Sequence, residues 1–556
     1  MFLPPAKAKQ GTHSQYSTFL GYSEREKPDD TQFSYMRNMS DDALPAAVPR
    51  KGRKKIAACT GITNLCAPAY QDSDLTDFTG VAGRYFYYHG QKISNRQLSA
   101  GRKEIADFNG KICIFPDRVF YNYLPDPETG EVNETLQDMG RTMTLSGVQF
   151  YASQDELTGD YTAYLQKTGA NFQENFQSGD SLVIAGCTSR PDNNTFVADS
   201  RMKFASDTQI VSVVVEKAES SRLTVLLYNK QGKLALFQNG TEAGSVTLSV
   251  YIPEMDHICV HNNRLWGTAA NGEFLYASKL GDCQNFQSFQ GLADDSWYCA
   301  IGTEGAFTGI VSYRSAVVAF KRSYIHHVYG DAPHNFSVPK QTACGAWDGR
   351  SIVELEGVLY FLSSTGFCAY SGGEPYRISS EISTPYQACA AGTDGTKYYA
   401  CAKRADGACD VLAYHPQYAV WHKEDQTEFV DFLNYRDRLY AATASEVYML
   451  GEGDEVVSWC CVSKQFTLGT MQHKGAHSIY LRLDLKQDAV VRVFLSRDGG
   501  DFLYCGTIAG QGFLAHRLPV RFGKCDSFRI MLEGEGRAVI HDMEIVQHVG
   551  GRRYEL

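Results

Sequence analysis

Residues 262–282 read NNRLWGTAANGEFLYASKLGD, two apolar stretches folded about an Asn-Gly pair. Asn-Gly suits a tight hairpin because both central residues must take positive φ. Asn262-Asn263 close the preceding turn, and Asn271-Gly272 make the hairpin. Leu265 and Trp266 are placed to pack between neighbouring sheets, and Ser278 to Asp282 leave for a crossover. The stretch holds no cofactor motif and no catalytic pair, so its meaning depends on whether it repeats.

It does repeat. The same grammar occurs in GIVSYRSAVVAFKRSYIHHVYG, SIVELEGVLYFLSSTGFCAYSGG, GTKYYACAKRADGACDVLAYHPQYAVWHKED and FVDFLNYRDRLYAATASEVYMLGEG. Aligning the second strand of each unit gives Leu265, Val318, Leu359, Tyr399 and Leu439, with steps of 53, 41, 40 and 40 residues. A period near 40 with three or four strands per unit is the spacing of propeller blades. An earlier unit around Ile112 lies 153 residues before Leu265, one blade plus a large insertion.

The expected architecture is therefore all-β. A β-propeller of six or seven blades covers residues 58–123 and 255–453, interrupted by an inserted β-barrel or sandwich at 124–254. A terminal β-sandwich covers 454–556. Residues 1–57, polar, Pro-containing and charge-blocked, read as an extended arm that gains order only by lying on something else. The composition agrees: 33 Tyr, 30 Phe and 50 Gly favour strands and turns. A net charge of −10 opposes a surface that grips nucleic acid or anionic membrane throughout. No apolar stretch is long enough to span a bilayer, and the amino terminus lacks a signal-peptide core. The 16 Cys lack CxxC spacing and read as reduced thilos of a protein folded in a cytoplasm.

No nucleotide loop, zinc-protease helix, serine-hydrolase elbow or calcium loop is present. His257 and His261 share a strand face but lie about 13 Å apart, too far for one ion. His326-His327 fall on opposite faces. Ser496–Phe502, SRDGGDF, resembles a sialidase Asp box, but Phe502 comes one position early and the motif occurs once; a capped Gly-Gly turn explains it. Asp294-Asp295, Glu424-Asp425 and Glu452 to Glu455 are acids without evidence of a catalytic pair, and read as solvated loops. Pro49–Lys55, PRKGRKK, is the one basic run; it could touch phosphate, but reads more simply as a solvated lead-in to the first strand. The sequence thus assigns no catalytic, cofactor-binding or metal residue, needs no cofactor, and predicts a protein that is not an enzyme.

Taken together, TFLGYSERE with MRNMSDDALPAAVPRKGRKK, NRLWGT with LYASKLGDCQNFQSF, the two units that follow, AVWHKED and CDSFRIMLEGEGRAVIHDMEI resemble the tail hub, nozzle or "stabilization" proteins of tailed bacteriophages. The resemblance implies a virion protein assembled in a bacterial host's cytoplasm. It would form a ring, a homo-hexamer, contacting portal, adaptor and other tail proteins. The ring would retain double-stranded DNA and pass it during ejection. The alternative is a glycan-binding or glycan-hydrolysing propeller. A Trp-Asp repeat scaffold fits less well, since Trp-Asp should recur at blade ends and Trp266, Trp297, Trp347, Trp421 and Trp459 do not follow that pattern, Trp347 alone being followed by Asp.

Overall fold

The computed structural model describes residues 12–70, 73–127, 129–198, 208–339, 344–468, 471–520 and 523–550. Apart from three single-turn 3-10 helices, its regular elements are strands. No helix among the described residues is long and apolar enough to cross a membrane. The chain forms two compact units, Thr63–Ile352, and Met1–Ile62 together with Val353–Leu556.

The fold is a β-propeller with additional β-domains, and seven antiparallel propeller sheets of three or four strands occur among the described residues, six of them simple meanders. Four lie in the first unit, apart from the first residue of Ile62–Leu65. Their leading strands are Ile62–Leu65, Glu104–Phe108, Met255–His261 and Phe307–Tyr313. The opening stretch supplies the middle of the third sheet. Asn262 and Asn263 take φ of 47° and 54°, the values the tight turn demands. Arg264–Ala269 then pairs with Met255–His261 on one side and Phe274–Ala277 on the other.

Successive side chains on that strand face opposite ways. Leu265 enters a core with Cys113, Phe115 and Phe120, while Trp266 enters another with Leu275, Phe307 and Val317. One strand therefore contributes to two inter-sheet cores. Arg264, only 2% exposed, donates to the carbonyls of Ser278, Ala293 and Asp295 at 2.7, 2.8 and 2.5 Å. Its guanidinium satisfies the crossover's backbone where no strand partner exists.

The insertion holds a three-stranded sheet ordered Arg141–Ser146, Ser245–Val250, Val183–Ala185, and a five-stranded sheet built on Ile210–Ala218 and Arg222–Asn229. Phe150, Leu165, Val213, Val225, Leu227 and Leu248 share one core. Gln137–Asp138, inside the expected insertion 124–254, instead returns to the second propeller sheet as its fourth strand. A two-residue strand is too short to show periodicity, and Arg96 holds it by a bidentate contact with Asp138.

The second unit contains the remaining three propeller sheets and the terminal sandwich. Here the expectation of an extended arm over 1–57 is corrected for its described residues. Thr12–Tyr16 is an edge strand of the sheet ordered Thr12–Tyr16, Ala538–Gly550, His473–Leu485, Gly512–Pro519. Phe33–Arg37 is an edge of the sandwich's other sheet, followed by Ser458–Ser463, Phe528–Glu535, Val490–Arg497 and Leu503–Ala509. Phe33 and Met36 are buried with Trp459, Leu481, Val491 and Ile530. Gly52–Ala58 completes the last propeller sheet by pairing with Glu446–Gly453. A Cβ at Gly52 would lie 2.2 Å from the Gly453 carbonyl oxygen, so this approach requires glycine. Its described residues are ordered by strands roughly 400 to 530 residues away in the same chain, and in Phe33–Arg37 two buried residues in five are too few for local patterning to reveal it.

Candidate functional site

The strand Gly52–Ala58 also decides what the basic run does. The run carries Arg50 and Arg53 onto Glu424, Asp425 and Glu455, acids that the sequence reads as solvated. Arg53 Nη2 lies 2.7 Å from Glu424 Oε2 and Nη1 lies 2.8 Å from Asp425 Oδ2, with Nη1 also donating to Thr427 Oγ1 at 2.9 Å. The Arg53 side chain is 7% exposed and that of Glu424 9%. The guanidinium also lies over the Phe429 ring, 4.9 Å from its centroid. Arg50 Nη1 meets Glu455 Oε1 at 2.7 Å, and its Nε donates to Asn38 Oδ1 at 2.8 Å.

Beside this pair lies a second one. Lys397 Nζ sits 2.5 Å from both Asp41 Oδ1 and Asp42 Oδ1. Asp394 accepts from the Lys397 backbone N–H and from the Tyr399 hydroxyl, at 2.8 and 3.0 Å. Asp42, Arg50, Arg53, Asp394, Tyr399 and Glu424 help to line a cavity of about 80 Å³, space for a few water molecules.

Charge pairing governs protonation here. Burial alone would lower the Arg53 guanidinium's pKa, but Glu424 and Asp425 outweigh it and hold it above the ordinary value. Burial would raise Asp425 and Asp42; the adjacent Arg53 and Lys397 reverse this and keep both carboxyls below the usual range. Lys397 is raised, with burial opposing and Asp41 and Asp42 prevailing. His422, 3% exposed, is pushed down to about 4 by burial, against an opposing pull from Asp41. The cluster therefore holds ionised pairs and a neutral imidazole near pH 7. Because a glycosidase's acid carboxyl must retain its proton, Asp42 and Asp425 are unsuited to that step.

The structure disperses the other sequence candidates. Asp295 Oδ2 accepts the backbone N–H groups of Gln290, Gly291 and Leu292, closing the crossover loop, while Asp294 lies 3.4 Å from Lys279 Nζ. His257 Nε2 contacts the Phe307 carbonyl at 3.3 Å, and His261 Nδ1 contacts Ser312 Oγ at 2.8 Å. His326 Nε2 meets Thr303 Oγ1 at 2.8 Å, and His327 stacks on Tyr329. In the Asp-box-like turn, Asp498 takes φ of 47° and accepts from the Asp526 and Ser527 N–H groups. Among the described residues, no group of three His, Cys, Asp or Glu could hold a metal ion. Sequence reasoning missed the Arg50–Arg53–Glu424–Asp425 cluster. The available signal was that its basic and acidic runs are complementary in sign.

No protein-family model matches the chain, and no curated protein is similar to it. Solved β-propeller structures do match. An exo-β-1,3-galactanase from Phanerochaete chrysosporium is 10% identical, covering 52% of this chain and 95% of that one, with a TM-score of 0.22. BamB from Moraxella catarrhalis is 10% identical over 56% and 98% of the two chains, with a TM-score of 0.22. A glycoside hydrolase family 43 arabinoxylan arabinofuranohydrolase from Bacillus subtilis is 9% identical over 52% and 95%, with a TM-score of 0.16. At such identity the likeness concerns the fold alone. The expectation of a non-enzyme is corrected on this finding. Two of these neighbours are glycoside hydrolases, so a propeller fold is no ground for excluding catalysis.

Proposed function

We propose that this chain is a structural protein of a bacteriophage tail, a hub or nozzle subunit that assembles into a ring around a DNA channel. The observation that carries this reading is the apolar surface of the terminal sandwich. Leu503 and Tyr504 are 54% and 60% exposed on one outer strand, and Phe513 and Leu514 are 59% and 49% exposed on the other. Four large apolar side chains on two adjacent edge strands suit a surface covered by protein. The order of the motifs from the amino-terminal segment to the terminal sandwich supports the same reading, and the net charge of −10 suits a conduit through which duplex DNA slides. Negative-stain imaging of the purified protein, alone and with tail components of its phage, tests it. Rings with a central channel are expected; particles that stay single under both conditions overturn it.

A second reading is a glycan-binding or glycan-hydrolysing propeller, the activity class named for the galactanase and the arabinofuranohydrolase. Tyr70, 60% exposed beside the Tyr123–Asp107 hydrogen bond, offers an aromatic face next to polar groups, as sugar recognition requires. Binding to a panel of bacterial polysaccharides, with reducing-sugar release as the hydrolysis readout, tests it. No binding and no release would eliminate this reading.

A further inference from the structure

We infer that the terminal sandwich joins copies of this chain head to tail, the free edge of Gly512–Pro519 in one copy pairing with the free edge of Thr12–Tyr16 in the next. The inference rests on the assembly reading above and specifies its surface. Among the described residues, these are the two outer members of the sheet that carries both strands. An edge strand presents unpaired N–H and C=O groups, which another strand can satisfy.

Three observations identify the occupant as a second copy. First, neighbouring strands across this sheet are antiparallel at every step, so Gly512–Pro519 runs opposite to Thr12–Tyr16. A second copy placed edge to edge continues the alternation without reversing the sheet.

Second, one row crosses the sheet as Gln15, Glu544, Tyr480 and Arg517. Continuing the sheet sets Arg517 two strand spacings from Glu544 of the second copy, roughly 10 Å between backbones and within reach of two long side chains. The carboxylate lies on the strand behind the edge, and both groups have contacts within their own copy, Glu544 with His13 and Arg517 Nε with Ser478 Oγ.

Third, exposed apolar side chains lie at the Gly512–Pro519 end of this continuation, while the opposite edge strand of the sandwich's other sheet, Phe33–Arg37, exposes Tyr35 to 44%. Leu514 is in register with Leu483 and Leu503 with Leu495, both of which are buried. Leu514 and Leu503 continue the inter-sheet core outward, where they stay about half exposed among the described residues. Self-pairing of two Gly512–Pro519 edges would cover this surface too but leave Thr12–Tyr16 bare. A contact between two different surfaces closes a ring when its rotation closes, as a tail channel requires, whereas self-pairing stops at a dimer.

The test uses two full-length variants, each blocking one edge with lysine, the residue that guards natural sheet edges. One carries His13→Lys and Gln15→Lys; the other carries Phe513→Lys and Ala515→Lys. All four side chains are exposed, and circular dichroism checks that both variants fold. Sedimentation equilibrium then measures mass. Wild type is expected to exceed a dimer, and each variant alone to be monomeric, its association weakened at least about 100-fold. An equimolar mixture is expected to stop at a one-to-one dimer, because one intact pair of edges remains. Self-association of the His13/Gln15 variant alone would overturn head-to-tail pairing in favour of edge self-pairing. Rings formed by wild type and both variants alike would sink the edge assignment and leave the ring reading standing. Wild type that is monomeric at every concentration overturns the inference, and single particles with tail components present remove the ring reading as well.

Discussion

The first described residues of the chain are held in two chemically different ways. Phe33–Arg37 is held by apolar burial, with Phe33 and Met36 in the sandwich core. The segment from Asp41 to Arg53 is held by ionised pairs, Asp41 and Asp42 to Lys397 and Arg53 to Glu424 and Asp425. The difference concerns what failure costs. An apolar anchor loses its transfer energy plus a cavity when truncated. A buried ion pair contributes little net stability when intact, yet losing one partner strands the other's charge.

The largest expected effect follows from that asymmetry. Arg53→Ala should cost about 3–5 kcal/mol, because Glu424 and Asp425 lose their main cation. Adding Glu424→Gln and Asp425→Asn to that variant should recover much of the loss, as read by urea unfolding. A triple variant no more stable than the single one would mean that stranded charge is not the cause. Met36→Ala, the apolar counterpart, should cost about 2–5 kcal/mol and show no comparable dependence on pH.

Acid separates the two anchors next. His422 is held at about 4 in the folded protein, below the ordinary 6.5 of an exposed imidazole. Between these values the unfolded chain binds the proton and the folded one does not. Stability is therefore full above about pH 6.5 and falls as pH drops toward 4. Asp42 and Asp425, lowered in the fold, remove further stability only when pH falls below the ordinary carboxylate value of about 3.9. Melting temperatures across this range should show the first slope, and His422→Phe should flatten it. An unchanged slope in that variant would assign the titration elsewhere.

The smallest expected effect lies outside both anchors. Asn263→Val forces a β-branched residue to φ near 54° and should cost about 1–2 kcal/mol. Asn263→Gly should be nearly neutral. Equal losses in both would point to the Asn109 side-chain hydrogen bond rather than to the backbone.

Much of the architecture was legible because its signals are local. The Asn-Gly turns and the spacing from Leu265 to Leu439 recur within 40 to 53 residues, and six of the seven propeller sheets among the described residues are meanders of sequence neighbours. The role of Arg264 was not legible: an arginine beside a Leu-Trp pair looks solvated, yet it serves three crossover carbonyls. The charged cluster was hidden for the same reason, since charge runs look alike whether they face water or each other.

From the residues alone follow the strand alternation, the turns and the blade period, because each depends on backbone preferences and side-chain polarity within a few positions. Only the tertiary structure decided that the chain's beginning completes its end. Pairing Gly52–Ala58 with Glu446–Gly453, and Thr12–Tyr16 with Ala538–Gly550, depends on backbone hydrogen bonds and charge contacts across roughly 400 to 530 residues. Backbone hydrogen bonds are identical for every sequence, so such pairing leaves no compositional trace.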